Sequence, residues 1–440
     1  MRKRLRSVLG ALIGIGIGMG RPAAAGDRLR YRGDLREEVI STAAGDSELD
    51  PGGRIVGGDE VANRLRLSGD LAWQLSPRWS VKAKAAADAL LGHDRRLRAD
   101  HLDSDFVLRD LYLNGSLGRF QLSAGRKILK WSNGYAFSPA GILDPVRDPA
   151  DPRDRLGRVQ GRDMVQLDYY GGSHTVTVAF STTGRFWSQP MSSEGIVALR
   201  YHFVVKGLEL SASAGLRPTA KDVGTLGFDY TIGQRIGLHG EVAGTRGTDT
   251  LFPRSILPGN QAILFGHDFE APLRQQRDAL YLRYLVGLNY TFGNGLNVIA
   301  EYYHADEGLT SGEWDGFIAQ ADYSRKLFDT GSFPPAFDGR SIPELNLLQA
   351  MQVLRRGSVR RDYLFVRAAH ALAGGRLKGE LLGLIGLNDR SFMLAPEVSF
   401  TPASRMLAYI RGTAFIGRPQ TEFGSIPTGP SASAGIVISF

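Results

Sequence analysis

Arg64-Leu65-Arg66-Leu67-Ser68-Gly69-Asp70-Leu71-Ala72-Trp73-Gln74-Leu75 alternates for twelve residues, with Leu65, Leu67, Gly69, Leu71, Trp73 and Leu75 on one side and Arg64, Arg66, Ser68, Asp70, Ala72 and Gln74 on the other. Successive side chains leave a β-strand on opposite faces, so a period of two predicts a strand with one apolar and one polar face. Ser76-Pro77-Arg78 follows, and a new alternating run starts at Trp79. A short turn between two such runs predicts an antiparallel hairpin.

The pattern recurs along the chain. About eighteen segments carry it, near 28–36, 62–75, 79–90, 105–115, 119–129, 162–170, 174–181, 195–203, 207–215, 222–232, 236–245, 279–292, 296–304, 361–370, 376–387, 391–400, 405–415 and 430–440. Their lengths lie near the roughly ten residues that a tilted strand needs to cross a bilayer. Short turns (76–78, 115–118, 171–173, 204–206, 233–235, 293–295, 371–375, 401–404) alternate with connections that are mostly longer. Eighteen antiparallel strands have eight connections at one end and nine at the other, and eight short turns are present. Aromatic residues gather beside them: Trp73, Trp79, Tyr112, Phe120, Tyr169, Tyr170, Tyr201, Phe203, Tyr230, Tyr290, Phe292, Phe400 and Phe440. This placement predicts a girdle at one membrane interface. A soluble sandwich or propeller also alternates, but a soluble barrel of this size would enclose a lumen too wide for side chains to fill. Apolar side chains turned to lipid and polar ones around water resolve that conflict. The expected fold is all-β: a transmembrane antiparallel β-barrel of about 18 strands over residues 26–440.

Composition narrows the function. With no Cys among 440 residues, disulfides, thiolate metal sites and thiol nucleophiles are excluded. Residues 1–25 carry a basic start, an apolar run from Val8 to Met19 and Pro22-Ala23-Ala24-Ala25, the layout of a secretory signal peptide. That segment holds five of the 53 basic residues and no acid, so the net +8 falls to 48 basic against 45 acidic residues beyond it. The basic pI therefore gives no support for nucleic acid as a partner. Two enzyme motifs fail on inspection. Ile55-Val56-Gly57-Gly58 resembles the activated start of chymotrypsin-like proteases, but no Gly-Asp-Ser-Gly follows; the His residues show no His-Glu-x-x-His spacing.

The strand count, the leader and the terminal Val437-Ile438-Ser439-Phe440 together resemble the 18-stranded outer-membrane channels of Gram-negative bacteria, such as the alginate-export-like and substrate-specific porin families. The stretch Gly125-Arg126-Lys127, Trp131, Gly134, Tyr135, Pro139 and Asp144-Pro145 is similar to a porin-like element, a strand ending in Gly-Arg before a Trp- and Pro-rich loop. Lys127 departs from it where relatives often carry Gln. The resemblance implies a place in the cell outer membrane among lipid and lipopolysaccharide, and recognition of Phe440 by the outer-membrane assembly machinery. It also implies passage of small anionic solutes or an anionic polysaccharide, with no enzymatic activity and no cofactor, and a loop at 130–160 that folds inward to narrow the pore. The alternative is a polysaccharide-binding or surface-anchoring, lectin-like barrel with a closed lumen, acting through long extracellular loops at 246–278 and 305–360.

The polar face supplies candidate site residues. Arg28, Arg30, Arg32, Arg36, Arg64, Arg66, Lys82 and Lys84 stand against only Asp34, Asp70 and Asp88 on the first three strands. Later strands carry Asp168, Glu209, Asp229, Glu241, Glu301, Glu380 and Glu397 against Arg162, Arg200, Arg283 and Lys378. Opposed walls of this kind set up a field across a lumen and favour anions along the basic side; the plainer reading is charges paired across strands. In the inward loop, Asp144-Pro145, Arg147, Asp148-Pro149, Asp151-Pro152, Arg153 and Asp154 predict a stiff, extended constriction segment. Its four carboxylates suit calcium, but the interleaved arginines favour internal ion pairs, so no metal is assigned. Ser341 and Glu344 form a capping-box pattern ahead of a helix near 342–355.

Overall fold

The computed structural model describes residues 28–440 except 46, 48, 52–53, 56–58, 96–97, 146, 155–156, 183–194, 218–221, 249–250, 254–272, 276–278, 332–334, 336–338 and 355–357. The expected signal peptide, most of the protease-like tetrapeptide and most of loop 246–278 lie outside the described residues.

The chain opens with β1 (Leu29–Ala44), β2 (Glu60–Gln74), β3 (Trp79–Asp94), β4 (Ala99–Leu117), β5 (Phe120–Lys127) and β6 (Arg162–Tyr170). It continues with β7 (His174–Thr182), β8 (Gly195–Val205), β9 (Leu208–Leu216), β10 (Val223–Ile232) and β11 (Ile236–Arg246). A short pair, β12 (Leu251–Pro253) and β13 (Leu273–Gln275), forms its own two-stranded sheet in the next connection. Then come β14 (Leu280–Thr291), β15 (Asn297–Ala305), β16 (Asp362–Leu372), β17 (Leu377–Gly386), β18 (Phe392–Ala403), β19 (Met406–Ile416) and β20 (Thr428–Ser439). Without β12 and β13 these strands make one 18-stranded antiparallel sheet. It closes on itself where β1 pairs with β20, Leu35 opposite Ile438. Each of the eighteen expected segments coincides with one barrel strand.

Register decides which face is which. Leu71 lies opposite Tyr31 and Ala83, and Asp70 opposite Arg32 and Lys84, so odd and even positions of β1–β3 stay on separate faces. On the outer face large apolar side chains remain exposed, among them Trp73, Phe120, Val178, Leu199, Val286 and Phe440. An apolar outer belt around a polar interior is the inverse of a soluble fold and fits a barrel bathed in lipid. Two members of the expected girdle depart from it. Tyr112 shares its face with Lys82 and lies under the Lys127 ammonium, 5.3 Å from the ring centroid; Tyr170 donates to Gln121 on the inner face. Both sit beside short turns but point into the lumen, because position along a strand does not fix its parity.

The long connection after β15 contains α1 (Ser311–Thr330) and α2 (Ile342–Leu354). The second is the expected helix, with Ser341 Oγ accepting from the Glu344 N–H at 3.4 Å. The first was not expected, although Thr310 and Glu313 form a full capping box at its start. Trp314, Phe317 and Ile318 of α1 and Leu347, Met351 and Leu354 of α2 pack together with Leu49 from the β1–β2 connection and Tyr281 of β14. The helix pair is thus fixed to two distant parts of the barrel rim.

Candidate functional site

The connection between β5 and β6, residues 128–161, folds into the barrel. Its first limb is held by packing: Leu129, Trp131, Ile142 and Leu143 bury against Met164, Ala179, Ile196 and Ala198 on the inner faces of β6–β8. Gly215 on β9 makes room, since a Cβ there would lie 2.9 Å from Ile142. Farther along, Ala136 and Phe137 join Leu285, Tyr363, Phe365, Leu382 and Leu384 of β14, β16 and β17. Phe137 stacks on Tyr303 of β15 with ring centroids 4.1 Å apart. The loop therefore touches two opposite arcs of the inner wall.

Between those arcs the backbone is held by carboxylates of the wall. Glu241 on β11 accepts from the Ser132 hydroxyl at 2.8 Å, the Ala140 N–H at 3.0 Å, the Gly134 N–H at 3.4 Å and the Asn133 N–H. Glu301 on β15, fully buried, accepts from the Ala136 N–H at 2.9 Å and the Tyr135 N–H, and pairs with His239 Nε2 at 2.8 Å. Gly287 on β14 is required by this pair, because a Cβ there would lie 2.1 Å from the His239 ring. Within the loop Asp144 accepts from the Trp131 and Ser132 N–H groups at 2.7 and 3.2 Å and faces Arg147 at 3.6 Å. Burial pushes the Asp144 carboxyl above its usual range, against the pull of those donors and of Arg147. Arg147 in turn donates to the carbonyls of Gly134, Tyr135 and Ser132. Two of the seven carboxylates expected to form an acidic lumen wall, Glu241 and Glu301, are thus engaged in seating the loop, a use in which buried charges are matched by several donors each.

The Asp-Pro segment is not extended. The Asp151 N–H bonds the Asp148 carbonyl, the Asp154 N–H the Asp151 carbonyl and the Gly157 N–H the Asp154 carbonyl, at 2.9, 2.9 and 2.8 Å. The first two are consecutive turns with Pro149 and Pro152 in their second positions, where a fixed φ favours a turn as readily as an extended chain. Nor are its ion pairs mainly internal: Arg153 reaches Glu380 on β17, and Asp154 pairs with Arg109 on β4 at 3.0 Å. The Gly157 carbonyl accepts from Arg66 on β2 at 2.8 Å. The loop thereby crosses from the β16–β17 side of the lumen to the β2–β4 side.

On the basic wall the eight cations separate into two groups. Arg64 pairs with Glu38 at 3.1 Å and Arg66 with Asp88 at 2.7 Å, and both are buried. Lys84 pairs with Asp70 at 3.2 Å near solvent, and Arg36 lies over the Tyr409 ring at 5.5 Å. Arg28, Arg30, Arg32 and Lys82 have no ion-pair partner among the described residues. Arg30, Arg32, Lys82 and Lys84 line one cavity with Asp70, Asp110 and Tyr112, on the half of β1–β4 nearer the short turns.

This architecture recurs in solved proteins. The chain superposes on OccK11 (OpdR) of Pseudomonas aeruginosa with a TM-score of 0.53 and 11% identity, over 94% of this chain and 96% of that one. For OccAB1 of Acinetobacter baumannii the values are 0.54, 9%, 94% and 96%. For OccK5 (OpdH) of Pseudomonas aeruginosa they are 0.52, 10%, 94% and 97%. The fold is the 18-stranded barrel of these Occ proteins. The expected resemblance to 18-stranded channels thus holds as architecture. No family model matches the chain, and no curated protein does. From the sequence Glu241 and Glu301 read only as lumen acids and Arg109 does not stand out, because each becomes specific only when a loop 45 to 166 residues distant is folded onto it.

Proposed function

We propose that the protein is a channel of the Gram-negative outer membrane for small anionic solutes, with the inward loop as its constriction and the basic wall of β1–β3 as the path of the anion. One observation carries this reading: Glu241, Glu301 and Glu380 are occupied by the inward loop, while Arg30, Arg32 and Lys82 face the lumen with no ion-pair partner among the described residues. An ion entering beside β1–β3 meets uncompensated positive charge, and successive guanidinium and ammonium groups offer it pairing weak enough to release at the next site.

The same geometry favours small solutes over an anionic polysaccharide strand, since the loop crosses the lumen and is attached at β2, β4, β11, β15 and β17. The lectin-like alternative needs a sealed barrel. Purified, folded protein in a planar bilayer decides between them: discrete open-channel steps are expected, and a bilayer that stays silent with folded protein inserted would overturn the channel reading.

A further inference from the structure

On the long-loop side of the constriction, between the inward loop and the wall of β6, β9–β11, β14 and β15, lies a cavity of about 330 Å³. Its charges do not cancel. Arg147 is matched by Asp144 and Arg283 by Glu307, but the guanidinium groups of Arg162, at the start of β6, and Arg217, just past β9, have no hydrogen-bond or ion-pair partner among the described residues; the Arg217 backbone N–H donates to the Asp222 carboxylate at 3.3 Å. The two are close enough for their like charges to interact, and the Arg217 Nε is buried without a partner. Asp144 of the same lining acts on Arg162 but is already taken by Arg147 and two backbone N–H groups, so the two guanidinium groups keep unmet donors and an excess of positive charge, which an anion would relieve. Beside Ser138, Thr245 and Ser358, the lining carries an apolar patch of Phe137, Ile142, Pro145 and Val223. The volume falls within the range of small-molecule sites.

We propose that this cavity binds an organic phosphomonoester, its dianionic phosphate held between Arg162 and Arg217 and its organic body against the Ile142–Val223 wall. A phosphate monoester carries close to two negative charges at neutral pH and presents three acceptor oxygens, which matches two forked donors. The site is separate from the basic wall of β1–β3 and does not depend on the conduction reading.

Isothermal titration of the folded barrel in detergent micelles tests it, with phenyl phosphate, inorganic phosphate and phenylacetate as probes. Phenyl phosphate should bind about tenfold or more tightly than either of the others, the difference expected when one charge-assisted contact or one apolar wall is lost. Equal binding of phenylacetate would show that the second charge is not read, and equal binding of inorganic phosphate that the wall contributes nothing; either overturns the proposal. Arg162→Gln and Arg217→Gln should each weaken phenyl phosphate about tenfold or more, while Lys84→Gln should not change it. Val223→Phe fills the apolar wall without touching an arginine and should abolish binding. Unchanged affinity in Val223→Phe would overturn the assignment even if the arginine variants failed to fold.

Discussion

Replacing Glu241 by Ala removes the seat that receives four donors from the inward loop: the Ser132 hydroxyl and the N–H groups of Asn133, Gly134 and Ala140. A buried donor left without a partner costs about 1–3 kcal/mol, and the lower value applies where lumen water reaches it, giving about 4 kcal/mol for the set. Packing opposes release. Trp131, Phe137, Ile142 and Leu143 are all buried, and each side chain contributes about 1.5–3 kcal/mol on burial, so the loop has at least about 6 kcal/mol of apolar attachment left. The single variant should therefore loosen residues 132–140 without freeing the loop, which single-channel recording would register as added open-channel noise at a nearly unchanged mean current. Adding Glu301→Ala strands the Tyr135 and Ala136 N–H groups, another roughly 2 kcal/mol that brings the two sides level. The double variant should show a clearly larger mean conductance. A correctly folded double variant with wild-type conductance and noise would refute the claim that these carboxylates hold the constriction.

At the rim, Glu422 accepts from the Tyr363 hydroxyl at 2.7 Å and the Val359 N–H at 2.8 Å, near Asp389 and Arg360, and burial pushes its carboxyl up to about 7. The sign follows: docking of residues 358–360 onto the β19–β20 connection is favoured fully below the free value of 4.5 and loses about 3 kcal/mol as pH rises to about 7. Hydrogen-exchange protection factors of α1 and α2, with the intrinsic base-catalysed rate divided out, should therefore fall between pH 5 and pH 7.5 (roughly the window of that titration), and Glu422→Gln should flatten the response. Gly287→Val should force the His239 ring off Glu301 and lower the urea midpoint of the folded barrel by an amount equivalent to about 1–3 kcal/mol, the usual cost of overpacking; an unchanged midpoint would contradict the close-approach argument. An epitope inserted at Gly339, between α1 and α2, should be reachable on intact cells and one at Asn294, in the short β14–β15 turn, should not. The reverse pattern would invert the topology.

The barrel was legible because its information is local. Alternation such as Leu65 to Leu75 reports a strand and its lipid face without reference to any other strand, and the alternation of turn lengths orders the strands. Parity was harder to read at strand ends, where Tyr112 and Tyr170 look like girdle residues but lie on the inner face. The first rim helix was missed although Thr310 and Glu313 cap it and Trp314, Phe317, Ile318 and Ala321 share a buried stripe; Gly312 and Gly316 weaken the local helix signal. The seats of the inward loop were not legible. Glu241 and Glu301 alternate in sequence like any lumen acid, and only the folded loop shows that their charges are consumed at Asn133–Ala140. For the same reason Arg64 and Arg66, which read as part of a uniform ladder, prove to be paired with Glu38 and Asp88, with Arg66 also bonded to Gly157.

That division of the ladder sets the most direct test. Arg30, Arg32 and Lys82 face the lumen without ion-pair partners among the described residues, so Arg30→Glu, Arg32→Glu and Lys82→Glu together change the charge of the path while leaving the Arg64 and Arg66 pairs intact. The measurement is the reversal potential across a planar bilayer holding a salt gradient, with the heat-modifiable folded band as the control for folding. The account predicts anion preference in the unmodified protein and a shift toward cation preference in the triple variant. A folded triple variant whose reversal potential matches that of the unmodified protein would contradict the assignment of the anion path to the β1–β3 wall.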